Sequence, residues 1–479
     1  MRTLLGGLVA ATVLAAAGCG GGGSESAAGG DSAASLAPAS AAAYVSVDAD
    51  RDSGQWNQLE SLLERFPARA KLVDAIEQAL ADENVQAEDL DRAFGPTVEL
   101  VWLDLEDSGA HVVGLTKPDD EQALRDVFRD GEGAFGEVEG WTAFAEDQAT
   151  LDRFIQAASG DEKLADDDRF QAAMDELPDE SLVKAYANGE RLTQELRRVA
   201  SGFGAGGALD GQGTLDSLAA ALSAEDDGIR LGFHAKGEGF EVQLPTSGDL
   251  VDDVPEGVIA FAHAGLGAQA DALREQLQGT PGAGQSLDQF EQMAGVSLDE
   301  LLALFQDEFV LYVRPAPLIP EVTLVAKTDD ADKARATVDS LLGAVARLSG
   351  GSTGTRTIAG LTATEAKLGP VSLFGTAYDD RVVVTTSPGG LEDLRGNGGK
   401  LGDDQRYRDA LDAAGVEEDE VLLYVDVDEA YVLAEQLAQL AGDEIPAEVR
   451  ENVEPLGAVV VTGTADENEV SASVFLSVD

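Results

Sequence analysis

Three stretches of this chain occur twice, in the same order, and that repetition limits the fold more than any other feature. Asp91 to Trp102 resembles Glu300 to Val313, with Phe94 matched to Phe305. Lys117-Pro118-Asp119-Asp120 recurs as Lys327-Thr328-Asp329-Asp330. Lys163-Leu164-Ala165-Asp166-Asp167-Asp168-Arg169-Phe170 recurs as Lys400-Leu401-Gly402-Asp403-Asp404-Gln405-Arg406-Tyr407. The offsets are 211, 210 and 237, which places 27 extra residues in the second copy between 330 and 400, around the Gly/Ser/Thr stretch Ser349 to Thr355. Matching pieces in one order at near-constant spacing read as duplication, and two units are too few for a solenoid. A chain of 479 residues also exceeds what one hydrophobic core serves. Two similar domains are expected, 43–246 and 254–479, divided at the Gly-, Asp- and Ser-rich stretch 245–255.

Each copy follows one coarse order. A strand opens it, Ala43–Asp48 or Val258–His263. Helical spacing follows in the first copy at Trp56, Leu59, Leu63 and Phe66. Two strands come next, near Val98–Leu105 and Val112–Thr116, or Phe309–Val313 and Val322–Ala326. A helix begins after the Lys-x-Asp-Asp turn, and in the second copy Ala334, Val338, Leu341, Leu342, Val345 and Leu348 form its apolar face. A hairpin is expected to close each copy. The first would run from Ile229, Leu231 and Phe233 through a Lys236-Gly237-Glu238-Gly239 turn to Phe240, Val242 and Leu244. The second would turn at Ala465-Asp466-Glu467-Asn468 into Val470, Ala472, Val474 and Leu476. Alternating apolar and small or polar residues fit antiparallel strands whose apolar face is covered. The expected class is α+β: two similar duplicated domains, each a largely antiparallel sheet covered by helices.

The N-terminus reads as an address. Arg2, an apolar run from Leu4 to Ala17 and the small residues before Gly18-Cys19 make residues 1–18 a secretory signal peptide. The run is too short for a span of about 20 residues. Leu14 to Cys19 resembles a bacterial lipobox, in which the cysteine is acylated and becomes the first mature residue. Ala16 stands where that pattern prefers Leu, so ordinary cleavage after Ala17 is the alternative. Residues 19–42 are expected to be the lipidated Cys19 and a flexible Gly/Ser/Ala tether. The partner this implies is a lipid bilayer held through acylated Cys19, with the body outside the cytoplasm and anchored to the cell membrane.

The opening Leu36-Ala37-Pro38-Ala39 with Ala43 to Asp48, and the two Lys-Leu-x-Asp-Asp-x-Arg-aromatic segments, resemble the DUF3352 family of bacterial envelope proteins. The resemblance covers most of residues 36–479. The family's function is unknown, so it implies no catalytic residues.

Chemistry-bearing patterns are few. With 32 basic and 90 acidic residues, the net charge of −58 repels nucleic acid. One cysteine excludes a disulfide framework, and three histidines separated in sequence read as ordinary strand positions. Gly350 to Gly354 matches a nucleophile elbow, but a helix precedes it and a strand follows, the reverse of what that motif needs. Ser181 to Lys184 matches Ser-x-x-Lys inside a strand-like run. Gly202 to Gly207 fits Gly-x-Gly-x-x-Gly but follows a helix, so it reads as a loop. Asp48, Asp50 and Asp52 resemble the start of a calcium loop, but Gly54 stands one place late, and a solvated turn is the preferred reading. Acidic clusters at 166–168 and 417–420 read as helix starts and solubilising surface.

No cofactor, metal site or catalytic set is expected, and the chain is read as a non-enzymatic binding or interaction module of the cell envelope, with an unidentified envelope protein or ligand as partner. The alternative is a carrier or chaperone for apolar, lipid-like cargo. A hydrolase with an unrecognised site comes third. Cys19→Ser is expected to release the protein into the medium or leave it unprocessed, which membrane fractionation checks. Normal processing with unchanged membrane retention would contradict the anchor.

Overall fold

The computed structural model describes residues 32–479 apart from 83–89, 91, 107–108, 129–132, 203–212, 239–243, 245–249, 268–269, 271–273, 275–276, 278–282, 318, 397 and 467. The expected signal peptide, Cys19 and residues 20–31 of the tether lie outside the described residues, as do residues 203–207 of the Gly-x-Gly-x-x-Gly match, whereas residues 32–42, expected to be flexible, are packed into the fold, with Ala33, Leu36, Ala37 and Ala41 buried. The protein is α+β, and its strands pair antiparallel. Among the described residues no helix is long and apolar enough to cross a membrane.

The strands are β1 Ala43–Asp48, β2 Thr97–Trp102, β3 Val112–Thr116, β4 Ala134–Val138, β5 Trp141–Ala145, β6 Val183–Asn188, β7 Thr214–Glu225, β8 Gly228–Glu238, β9 Ala260–Ala264, β10 Phe309–Arg314, β11 Glu321–Lys327, β12 Ser352–Ile358, β13 Leu361–Leu368, β14 Val371–Tyr378, β15 Arg381–Thr385, β16 Val421–Asp426, β17 Leu456–Asp466 and β18 Glu469–Val478. The chain forms two compact units, one of residues up to Phe240 with Asp466–Asp479, the other Glu241–Ala465. The first unit's strands pair in the order β4-β5-β3-β2-β1-β6-β7-β8-β18. The second unit's order is β12-β13-β14-β15-β11-β10-β9-β16-β17.

Two details differ from the sequence reading. Residues 236–238, expected to turn, continue β8 and pair with β7, whose tight turn into β8 lies between Glu225 and Gly228, while residues 239–243 of the expected turn and return strand lie outside the described residues. The last strand, placed by sequence in 254–479, pairs with β8 and belongs to the first unit. Alternation marks a strand but does not say which edge it joins.

In the first unit, period-2 alternation sends Tyr44, Val101, Val113, Ala143 and Tyr186 to one sheet face. Helices Gln148–Ala158 and Asp168–Asp175 cover it with Leu151, Phe154, Phe170 and Met174. At the β2-β3-β5 end the other face is covered too, by Phe94, Leu124 and Phe128 over Val98, Leu100 and Phe144. Gly114 permits this: a Cβ there would sit 2.2 Å from the Phe144 ring. In the second unit, helix Ala331–Leu348 is capped by Asp330, whose carboxylate accepts from Lys333 N at 3.0 Å. It lays Ala334, Val338, Leu342 and Ala346 on Ala366, Ala377 and Val382.

The recurring Lys-Leu-x-Asp-Asp segment is built into each unit's core. In both places it forms a 3-10 turn, Leu164–Asp166 or Leu401–Asp403, followed by a helix. Asp167 caps the first helix, accepting from Arg169 N and Phe170 N, and Asp404 caps the second, accepting from Arg406 N. Leu164 and Leu401 are fully buried, and their amides donate to Ala37 O and Val254 O, both at 2.8 Å. The aromatic then meets two others edge-on, Phe170 with Tyr44 and Tyr186, Tyr407 with Phe261 and Tyr424. Among the described residues the Tyr407 hydroxyl has no hydrogen-bond partner, so its ring is what this position uses. Phe170→Ala should cost about 3–5 kcal/mol and Asp167→Ala about 1 kcal/mol. Chemical denaturation of the two variants checks the order, and a larger loss in the Asp variant would contradict it.

Candidate functional site

The chain entering each sheet is pinned by a buried carboxylate. In the first unit the 3-10 turn Ala33–Ser35 is sealed, with Ala33 fully buried. Glu99 on β2 reaches it: Glu99 Oε2 accepts from Ala33 N at 2.7 Å, from the Tyr44 hydroxyl at 2.6 Å and from Ser32 Oγ at 3.3 Å. Burial pushes the Glu99 carboxyl up to about 7, although these donors and the charge of Lys117 pull it the other way. In the second unit Glu308 Oε1 accepts from Leu250 N at 3.1 Å, ahead of the turn Val251–Asp253. His263 Nε2 lies 3.1 Å from the same oxygen, and Lys327 Nζ lies 3.1 Å from Oε2. Burial raises Glu308 also, but His263, the Leu250 amide and Lys327 outweigh it and hold the carboxyl below its ordinary value.

Asp48, Asp50 and Asp52 form successive turns. Asp48 Oδ1 accepts from Asp50 N and Asp50 Oδ1 from Asp52 N, both at 3.0 Å, while Asp48 Oδ2 accepts from Ser53 Oγ at 2.5 Å. Ser53 in turn caps helix Gly54–Leu63. Burial raises the Asp48 carboxyl to about 6. Among the described residues no group of three His, Cys, Asp or Glu could hold a metal ion. The histidines are apart: His111 bonds Asp104 at 2.7 Å, His234 bonds Ser471 at 3.0 Å, and His263 meets Glu308. Ser181 lies 3.2 Å from Ser223 Oγ, and Lys184 lies on β6, paired with Ser46. Helix Ala331–Leu348 and β12 flank Gly350, the reverse of a nucleophile elbow.

The feature that sequence reasoning missed lies at the far end of the first unit's sheet. Registers across β7, β8 and β18 align Leu222, Leu231 and Val474 in one row and Ala220, Phe233 and Ala472 in the next. Leu218, Ala235 and Val470 continue the pattern, with Ile229 and Leu476 beyond it. This face carries no charged or hydrogen-bonding side chain over those positions. All of them are half-buried or exposed, and Leu231 and Phe233 are 37% and 38% exposed. The opposite face holds Ser217, Ser223, His234 and Ser477, all buried. Here the covered face carries small and polar residues with Phe475, and the rows holding Leu231 and Phe233 are open, the reverse of what the alternation implies. A contiguous open apolar face is informative where scattered apolar residues are not.

A family model described as "Protein of unknown function (DUF3352)" matches residues 113–478. No curated protein matches the chain. Two solved structures, crystal forms III and I of TP0453, are similar at 10% identity and a TM-score of 0.24. The matches cover 44% of this chain and 81% and 80% of those. At that TM-score the likeness carries no argument.

The Glu99 carboxyl, raised from 4.5 to about 7, keeps a proton in the folded state that the unfolded chain loses earlier. Its contribution to stability is full below pH 4.5 and is lost as pH rises through 7. Glu99→Gln, which mimics the protonated form, should retain on the order of 3 kcal/mol that the wild type loses between pH 4.5 and 8. Urea unfolding at both pH values checks this, and identical pH dependence in the two proteins would contradict it.

Proposed function

We propose a role for this chain, which belongs to the DUF3352 family of proteins of unknown function: a lipid-anchored extracytoplasmic module without catalytic activity that holds apolar cargo on the open face of β7, β8 and β18. The observation that carries the reading is the pair of exposed residues Leu231 and Phe233 in rows whose described side chains, Leu222, Ala220, Val474 and Ala472, are all apolar. The strip is about 20 Å long and about 10 Å wide, dimensions that match one extended acyl chain. Each methylene buried there would contribute about 0.8 kcal/mol. The lipobox-like Leu14 to Cys19 would keep the module beside a membrane, where such chains are found. A hydrolase reading gains nothing from the two raised carboxyls, because Asp48 is engaged by Ser53 and Glu99 by Tyr44 and Ala33.

The strand orders support two copies of one unit. Laying β1 on β9 brings β2 onto β10, β3 onto β11, β5 onto β15, β6 onto β16 and β7 onto β17. The ribbon β12–β13 lies between residues 330 and 400, where the offsets put the 27 extra residues.

Titration with a fluorescent fatty acid tests the cargo reading. Leu231→Asp and Phe233→Asp should each weaken binding at least about tenfold, with stability within about 0.5 kcal/mol of wild type. Unchanged affinity in both variants would contradict it.

A further inference from the structure

Residues 32–42 form a strap over the covered face of the first unit's sheet. Ala33, Leu36, Ala37 and Ala41 are buried in one cluster with Tyr44 and Val101 of that face. Main-chain groups hold the strap down along its length. Ala42 N donates to Trp102 O at 2.8 Å, Ala39 N to Glu162 O at 3.2 Å, and Ala37 O accepts from Leu164 N at 2.8 Å. These bonds join neutral groups. At the front of the strap, Ala33 N donates instead to Glu99 Oε2 at 2.7 Å, on a side chain that is 2% exposed. Ser32 Oγ and the Tyr44 hydroxyl converge on the same oxygen.

Every element packed on Glu99 contributes to its charge state. The strap brings Ser32 and Ala33, β1 brings Tyr44 and, directly opposite Glu99, Ser46, and β3 brings Leu115. Lys117, past the end of β3, acts on the carboxyl through its charge. Lys184 lies beyond Ser46 in the same row, its amine lowered by burial. Burial holds the Tyr44 hydroxyl well above its ordinary value, so it stays protonated and donates. The three groups that bond Glu99 Oε2 are neutral, and an ionised carboxylate gains from water what such a site withholds. Lifting the strap admits that water.

We infer that the strap is a proton-controlled fastener: ionisation of Glu99 opens residues 32–42 locally, while the strands beneath stay paired. The protonated carboxyl favours the closed form, so closure is firmest in acid and weakens as pH rises through about 7. On the reading that Cys19 carries lipid, opening adds these 11 residues to the tether, up to about 36 Å of reach.

Hydrogen–deuterium exchange of the full chain, read at single amides and corrected for intrinsic exchange, tests this at pH 6 and 8.5. For a carboxyl at about 7 when closed and 4.5 when open, the opening constant at Ala33 should rise about tenfold. At both pH values Ala33 should open at least about tenfold more often than Val101 on β2, which the sheet protects. Leu250 should show no such rise, because Glu308, which accepts from it, is held below its ordinary value and stays ionised throughout. Glu99→Gln should flatten the pH dependence at Ala33. Equal protection at Ala33 and Val101 would mean that the strap leaves only when the unit unfolds, and would overturn the inference. So would an opening constant that does not change with pH, or a rise that persists in Glu99→Gln. If that variant does not fold, the wild-type readings decide. The exchange reads the strap alone, so its failure would leave the lipid anchor and the cargo face untouched.

Discussion

The ladder between β8 and β18 decides which side chains the last strand shows on each face of the first unit's sheet. Its register sends Phe475 and Ser477 to the covered face and Ala472, Val474 and Leu476 to the open one. A slip of one residue would invert that assignment along the whole strand. Phe475 over Gly228 and Val478 on Asp227 O lock the register at one end, and the Lys236–Glu469 ion pair marks the other. The β18 part of the open apolar face is therefore a consequence of where the last strand anchors.

The two buried carboxylates solve one problem in two ways. Each incoming turn brings an amide into the interior that must find an acceptor, since a buried unpaired N–H is costly. Glu308 meets this with a cation beside it, Lys327, and stays low in pKa. Glu99 meets it among neutral donors, Tyr44, Ser32 and Ala33, and burial lifts it to about 7. The first unit thus carries a proton-dependent fastening directly behind the N-terminal segment, and the second unit's fastening holds its charge.

Local signals in the sequence were legible because they depend on near neighbours. The strand at 43–48, the helix face at Ala334, Val338 and Leu342 and the helix starts at Asp167 and Asp404 follow from spacing and capping chemistry alone, although Val345 and Leu348, expected on that face, are exposed. Partner choice was not legible. Val470 to Leu476 alternates equally well whichever edge it joins, so the strand's place in the first unit had no signature. Nor does alternation say which face is covered: Leu231 and Phe233 read as core from spacing, yet stand exposed because helices cover the other face. Glu99 looked like one acid among 90, and only the Ala33–Ser35 turn above it makes it a buried acceptor.

Cargo held on the open face of β7, β8 and β18 should leave its own membrane with the protein. Organic extraction of the full-length protein, purified from its own membrane in mild detergent and analysed by mass spectrometry, tests it most directly. An acyl-chain amphiphile should be released in near-stoichiometric amount from the wild type and lost from the Leu231→Asp, Phe233→Asp double variant. Equal amounts from both proteins, or none from the wild type, would contradict it.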